Sequence, residues 1–195
     1  QHIELNAIDL AWDMVARFTD ADLPRAFYDD WVRVGEEEAT HFSLLAARMA
    51  DFGYAYGDFP AHDGLWEAAM TTRDSLPARL AVVPMVLEAR GLDVTPAMID
   101  RFAKIGDETS ARILNRILMD EITHVATGSR WFHYICARET IDPRMSWQEL
   151  VEKNFKGLLK PPFNRTAREE AGLPEDYYAP LAAPVPGLNP KNGKL

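Results

Sequence analysis

Apolar side chains recur at Ala7, Ala11, Met14 and Phe18, a helical period that predicts an amphipathic helix from Ile3 to Phe18. It ends before the turn-forming run Thr19-Asp20-Ala21-Asp22. The chain opens inside this periodic stretch, so the helix is expected to have begun further upstream. Behind Pro24 a second stripe of Phe27, Trp31, Val34, Phe42, Leu45 and Met49 runs to Gly53, predicting a helix of about 28 residues. Residues 53–75 are rich in Gly, Pro, Asp and aromatics, hold at most a short helix at Leu65 to Thr72, and are read as a long crossover. A third helix is predicted from Pro77 to Arg90, kinked at Pro84 and ended by Gly91. Thr95-Pro96 then starts a short helix to Ile105, and a long fourth helix runs from Asp107 to Ala137. Ser146-Trp147-Gln148-Glu149 has the form of a capping box for a further helix ending near Leu158.

Seven of the 13 prolines lie from Pro161 onward, which predicts an extended tail wrapping on the body or touching a partner. No strand alternation stands out. The expected fold class is all-α: four long helices, a long crossover between the second and third, then an extra C-terminal helix and a proline-rich tail. Residues 1–138 would form the bundle and 139–195 would pack on it.

Composition narrows the function classes. With 195 residues and 47% apolar content the chain can bury one sizeable core. A net charge of -9 argues against a broad nucleic-acid surface. The single cysteine excludes an internal disulfide, a Cys-x-x-Cys redox pair and a four-thiolate iron centre, and fits a reducing cytoplasm. No apolar run reaches the roughly 20 residues needed to span a bilayer, and no charged-then-apolar leader opens the chain, so a soluble, cytoplasmic protein without membrane partners is expected.

The chemistry lies in an internal repeat. Glu38-Ala39-Thr40-His41 and Glu121-Ile122-Thr123-His124 each fall mid-helix on an apolar stripe, and a spacing of three places Glu and His on one face. Glu4 precedes Glu38 by 34 positions and Glu88 precedes Glu121 by 33, so each half reads lone Glu, then Glu-x-x-His. Glu4 lies 14 residues before Phe18 and Glu38 lies 14 after Pro24; at a helical rise of about 1.5 Å, both sit ~21 Å from their shared turn. The second half is less tidy, because the predicted third helix ends three residues past Glu88. Four carboxylates facing a core would each cost several kcal/mol if ionised and unpaired. Two divalent cations would balance them, with two neutral imidazoles completing the shells. Oxygen and nitrogen donors without thiolate suit iron or manganese over structural zinc.

His2-Ile3-Glu4-Leu5, Leu87-Glu88-Ala89-Arg90-Gly91-Leu92-Asp93 and Asp120-Glu121-Ile122-Thr123-His124-Val125 resemble an uncharacterised bacterial ferritin-like family, known mainly as a domain of unknown function, from the first helix to about Leu173. More distantly the chain is similar to di-iron tRNA hydroxylases, rubrerythrins, bacterioferritins and manganese catalases, which share the repeated ligand pattern. It departs from rubrerythrins in lacking their cysteine-rich iron module, and from a minimal ferritin subunit in its 53–75 connection and tail. The resemblance implies a ferritin-like four-helix bundle with two divalent metal ions, iron first and manganese second, held by Glu4, Glu38, His41, Glu88, Glu121 and His124.

The expected activity is an oxidoreductase activating dioxygen or peroxide. An oxygenase or hydroxylase acting on a small molecule or a modified nucleoside, with a separate electron donor, is placed first. A peroxidase or catalase, an iron-storage ferroxidase and a non-catalytic metal-binding module are the alternatives, and a homodimer is admitted. A cavity beside the metals, lined by the 53–75 segment or the tail, would favour the oxygenase. No catalytic side chain beyond the ligands is expected. Asp120 and Glu37, each four residues before a ligand histidine, are candidates for orienting an imidazole N–H. His2 is expected at the surface and His62, His133 and Cys136 in packing or surface roles. The stripe Trp12, Trp31, Met49, Met85, Met119 and Trp131 is expected in the core.

Overall fold

Helix α1 (His2–Arg17) turns Ala7, Leu10, Ala11 and Met14 inward, as its period requires. Helix α2 (Arg25–Asp51) starts behind Pro24, whose extended backbone precedes the first turn, and buries Phe27, Trp31, Val34, Glu38 and His41. It ends as predicted at Gly53, whose φ of 78° is the left-handed conformation that glycine adopts without steric cost. The crossover carries a short helix, α3 (Gly64–Thr71). The computed structural model describes residues 1–184.

The third long helix departs from expectation. Helix α4 (Leu76–Val82), capped by Ser75, runs without a break through a π-helical segment (Val83–Glu88) into α5 (Ala89–Lys104). The kink expected at Pro84 is therefore a π segment, a wider turn in which proline's missing N–H is accommodated. The break expected between Gly91 and Thr95 is absent. Gly91 does not take a positive φ, and Leu92, Asp93 and Thr95 are buried on the helix around it. Pro96 sits inside α5 because the Leu92 carbonyl it leaves without a helical donor accepts a hydrogen bond from Asn164 Nδ2 at 3.1 Å.

Helix α6 (Glu108–Glu139) begins at Asp107, whose carboxylate accepts from the Ser110 amide at 2.9 Å. Helix α7 (Pro143–Asn154) is capped by Asp142 with Pro143 as first residue, so Ser146 lies inside it and not at its cap. Asp142 combines a side-chain acceptor with a following proline, a stronger start signal than the Ser-x-x-Glu box. The stretch after Pro161 is not wholly extended either. Asn164 caps α8 (Arg165–Glu170), and α9 (Glu175–Tyr178) follows; the rest of the proline-rich tail, residues 185–195, lies outside the described residues.

Helices α1 and α2 form one antiparallel hairpin, α5 and α6 a second, and the two meet where α2 and the π segment pack on α6. Gly128 of α6 makes the last approach possible, since a Cβ there would lie 2.5 Å from Pro84 Cβ and Cγ. Buried Arg79 on α4 donates to the Asp13 carboxylate of α1, to Thr72 Oγ1 and to the Ala69 carbonyl, tying the crossover to the body. One apolar core runs from Met14 and Trp31 through Leu80 and Phe132 to Trp147, Leu173 and Tyr178, so α7 to α9 share it. Trp12 and Met119, expected in the core, are 46% and 53% exposed: their positions fall outside the buried stripes of α1 and α6. Among the described residues no helix is long and apolar enough to cross a membrane, and the fold is all-α apart from an isolated bridge between Leu159 and Ala182.

Candidate metal centre

The unbroken α4–α5 helix resolves the untidy half of the repeat. Glu88, last residue of the π segment, lies 16 residues before Lys104, and Glu121 lies 13 after Glu108. By helical rise these are ~24 and ~20 Å from the shared turn, close to the level reached by Glu4 and Glu38 in the other hairpin. Glu4, Glu38, His41 and Glu121 can each present a ligand atom within 4.8 Å of the others. His124 joins them from α6, its Nδ1 lying 3.0 Å from Glu38 Oε1 and 3.9 Å from Glu121 Oε2. Glu38 is the hub, because its other oxygen lies 3.3 Å from His41 Nδ1. Glu88 faces the same space, with Glu4, Glu38 and Glu121 on the wall of one cavity.

Several atoms at this point have no hydrogen-bond partner: Glu38 Oε1, Glu88 Oε2, Glu121 Oε2 and His124 Nδ1 are all buried and unpaired. A buried acceptor without a donor is rare and costly. The 3.0 Å approach of His124 Nδ1 to Glu38 Oε1 lacks hydrogen-bond geometry, as expected of two lone pairs aimed at a common third atom. This donor set fits a divalent cation, and a cluster of glutamates and histidines able to hold a metal ion is present.

The outward ring nitrogens are held by carboxylates. His41 Nε2 lies 3.1 Å from Asp120 Oδ2, and His124 Nε2 lies 2.8 Å from Glu37 Oε2. Both acids singled out from the sequence do meet an imidazole, but each reaches the histidine of the other helix and not the one four residues ahead of it. A neutral imidazole that donates through Nε2 presents the Nδ1 lone pair to the cluster. Arg116 in turn anchors Asp120.

Charge is distributed unevenly. Burial, reinforced by the Glu38 charge, pushes the Glu4 and Glu88 carboxyls up to about 7 and Glu121 well above its ordinary value. Burial would raise Glu38 too, but the neighbouring His124 and His41 rings hold it down to about 2. Against burial, Glu37 and Glu38 raise His124 well above its usual value, and Glu38 with Asp120 raises His41.

The remaining histidines take structural places. His2 Nδ1 pairs with Tyr56 OH at 2.8 Å, His62 Nδ1 accepts from the Gly64 amide, and His133 bridges the Ser129 carbonyl and Tyr177 OH. Cys136 is buried in the core. Two supports had no sequence signal: the π segment that carries Glu88, and the buried pair of Arg168 with Asp93, 2.7 Å apart, which fixes α8 to α5 five residues past Glu88.

A cavity of about 800 Å³ adjoins the carboxylates and is walled by α1, α2, α5 and α6, with His62, Gly64 and Leu65 from the crossover and Phe155 after α7.

The sequence matches the family described as "Protein of unknown function (DUF455)" over residues 1–179. It is 43% identical over 177 residues to a protein of Haemophilus influenzae named "Uncharacterized protein", covering 88% of this chain and 62% of that relative, so the chain spans under two thirds of the relative's length. No solved structure matches it. Since the family match takes in every residue of the cluster and nearly all of the described chain, the protein belongs to the DUF455 family.

Proposed function

We propose that the chain is a ferritin-like four-helix bundle, its members α1, α2, the α4–α5 helix and α6, and that it holds two divalent metal ions, iron in preference to manganese. Its activity is that of an oxidoreductase, an oxygenase or hydroxylase of a small organic substrate. The observation that carries this reading is that Glu4, Glu38, His41 and Glu121 can bring ligand atoms within 4.8 Å of one another, with His124 Nδ1 3.0 Å from Glu38 and Glu88 on the same cavity wall, and that oxygens on Glu38, Glu88 and Glu121 and the His124 Nδ1 are buried and unpaired. Glu4 and His41 would serve one ion, Glu88 and His124 the other, with Glu38 and Glu121 between them. When bound, such ions supply one-electron redox and Lewis-acid chemistry toward dioxygen or peroxide.

The protein's own side chains do the rest. Glu37 and Asp120 fix both imidazoles in orientation and tautomer. The apolar cavity borders Glu4, Glu88 and Glu121 and leaves room beside them for a substrate. That cavity, lined in part by the crossover, supports an oxygenase over iron storage, since a storage subunit gains nothing from it.

The test is anaerobic loading with ferrous iron followed by oxygen, watched optically and by mass spectrometry, and then aerobic feeding of excess iron. Retention of about two irons per chain, and oxygen consumption only with reductant and substrate, is expected. Accumulation of a soluble mineral in a cage-sized assembly would move the protein to storage.

A further inference from the structure

The cavity has a direction. Down α6 from Glu121 it is walled by Ile117 and Leu114, and along α2 from Glu38 by Leu45 and Met49. These residues recur at helical spacing on the faces that carry the carboxylates. Eleven residues separate Glu38 from Met49, and the same number separate Ser110 from Glu121, where the lining ends on α6. By helical rise that is a depth of ~16 Å, running parallel to the helices from the carboxylates toward the α5–α6 turn.

Its chemistry is nearly uniform. The side-chain cations on its wall are Arg48 and Arg90, and both are engaged. Arg48 donates to Asp107, Asp51 and Ser110 and lies 4.3 Å over the Phe52 ring. Arg90 donates to the Lys160 and Pro162 carbonyls and lies 3.5 Å from Asp93. Among the described residues, no side-chain arginine or lysine on the wall is left free for an anionic head group.

Gly91 adds a second, independent sign. It sits on the cavity wall in mid-helix, where glycine costs about 1 kcal/mol relative to alanine. A Cβ placed on it meets no atom within 4 Å, and its φ is not positive, so neither packing nor backbone conformation calls for glycine. The missing side chain leaves the cavity wide one turn from Glu88.

From these observations we infer that the cavity binds an elongated, uncharged, hydrocarbon-rich molecule, inserted along the helix axis with one end against Glu4, Glu88 and Glu121. The inference rests on the oxidoreductase reading above and names its substrate class. It sets aside a nucleoside, whose base and ribose need polar partners that the wall between Leu45, Leu114 and Phe102 does not offer.

The experiment uses the full chain, metal-free and loaded with manganese, and the neutral fluorophore Nile red as probe. Displacement is measured with 1-dodecanol, dodecanoate and adenosine. Dodecanol is expected to displace the probe at concentrations at least about tenfold below adenosine, with dodecanoate weaker than dodecanol. Gly91→Phe, and separately Leu114→Trp, should weaken probe binding about tenfold or more while metal content and the unfolding midpoint hold. Equal displacement by adenosine, or probe binding indifferent to both substitutions in folded protein, would overturn the inference. Loss of metal with retained dodecanol binding would sink the metal reading alone; retained metal without probe binding would sink the cavity reading alone.

Discussion

Asp120 stands on α6 four residues before His124, yet its carboxylate meets the ring of His41 on α2 at 3.1 Å, and Glu37 on α2 makes the reciprocal contact with His124 at 2.8 Å. Each long helix thereby orients the candidate ligand histidine of the other. The two Glu-x-x-His turns are locked together on the outer side by these carboxylate–imidazole contacts, and their Nδ1 atoms are turned inward.

This crossing predicts a pattern of couplings. Asp120→Asn and Glu37→Gln should each reduce metal affinity by about 10–100-fold, the usual worth of a carboxylate that orients a ligand histidine. The Asp120 effect should vanish in a His41→Ala background and persist in His124→Ala, with the reverse for Glu37. Metal titrations of the double variants check this; a coupling within each helix would contradict it.

Protonation gives a second expectation. The folded Glu88 and Glu4 carboxyls titrate at about 7 against 4.5 when exposed, and His41 and His124 are also raised. Between these values the folded metal-free chain binds more protons than the unfolded one, so its stability falls as pH rises from about 4.5 through 7 and beyond. The loss is on the order of a few kcal/mol. A metal ion held here would have to displace those protons, so its affinity should rise with pH over the same range. Thermal unfolding at pH 6 and pH 8 should show the metal-free protein less stable at the higher value, and metal addition in weak buffer should acidify the solution.

Gly128→Ala should destabilise the fold by about 1–3 kcal/mol, because the added methyl group has no room beside Pro84 and the π segment carrying Glu88 must shift. Urea unfolding and metal content read both consequences; full stability and full loading would show that the segment is free to move.

How far the sequence discloses this molecule depends on where the information sits. Helices α1, α2 and α6 are legible because their stripes are long and end in recognisable stops such as Gly53. The six clustered residues are legible because the same spacing occurs in both halves. What misleads is local punctuation read without tertiary partners. Gly91 resembles a helix end but borders a cavity, and Pro96 resembles a start but loses only a bond that Asn164 replaces. The π segment has no residue pattern beyond Pro84, and the crossed carboxylates depend on how α2 and α6 pack, which no spacing within either helix encodes.

The buried pair of Arg168 and Asp93 supplies a further check on the packing of the tail. Arg168→Ala removes the buried partner of Asp93, leaving it the Asn164 amide and the more exposed Arg90 at 3.5 Å, and should cost about 3 kcal/mol. Adding Asp93→Leu should recover much of that loss, since no charge then remains to be compensated. A chemical-denaturation cycle over the single and double variants measures it, and additive losses would show that the two side chains act independently.

The most direct test is the metal count of the purified chain after anaerobic ferrous loading and removal of free iron, read by elemental analysis against protein concentration. A two-metal centre requires about two ions per chain, falling below about one when His41 or His124 is replaced by alanine, with helical content retained. A wild-type chain that keeps no iron, or variants that keep as much as the wild type, would contradict it.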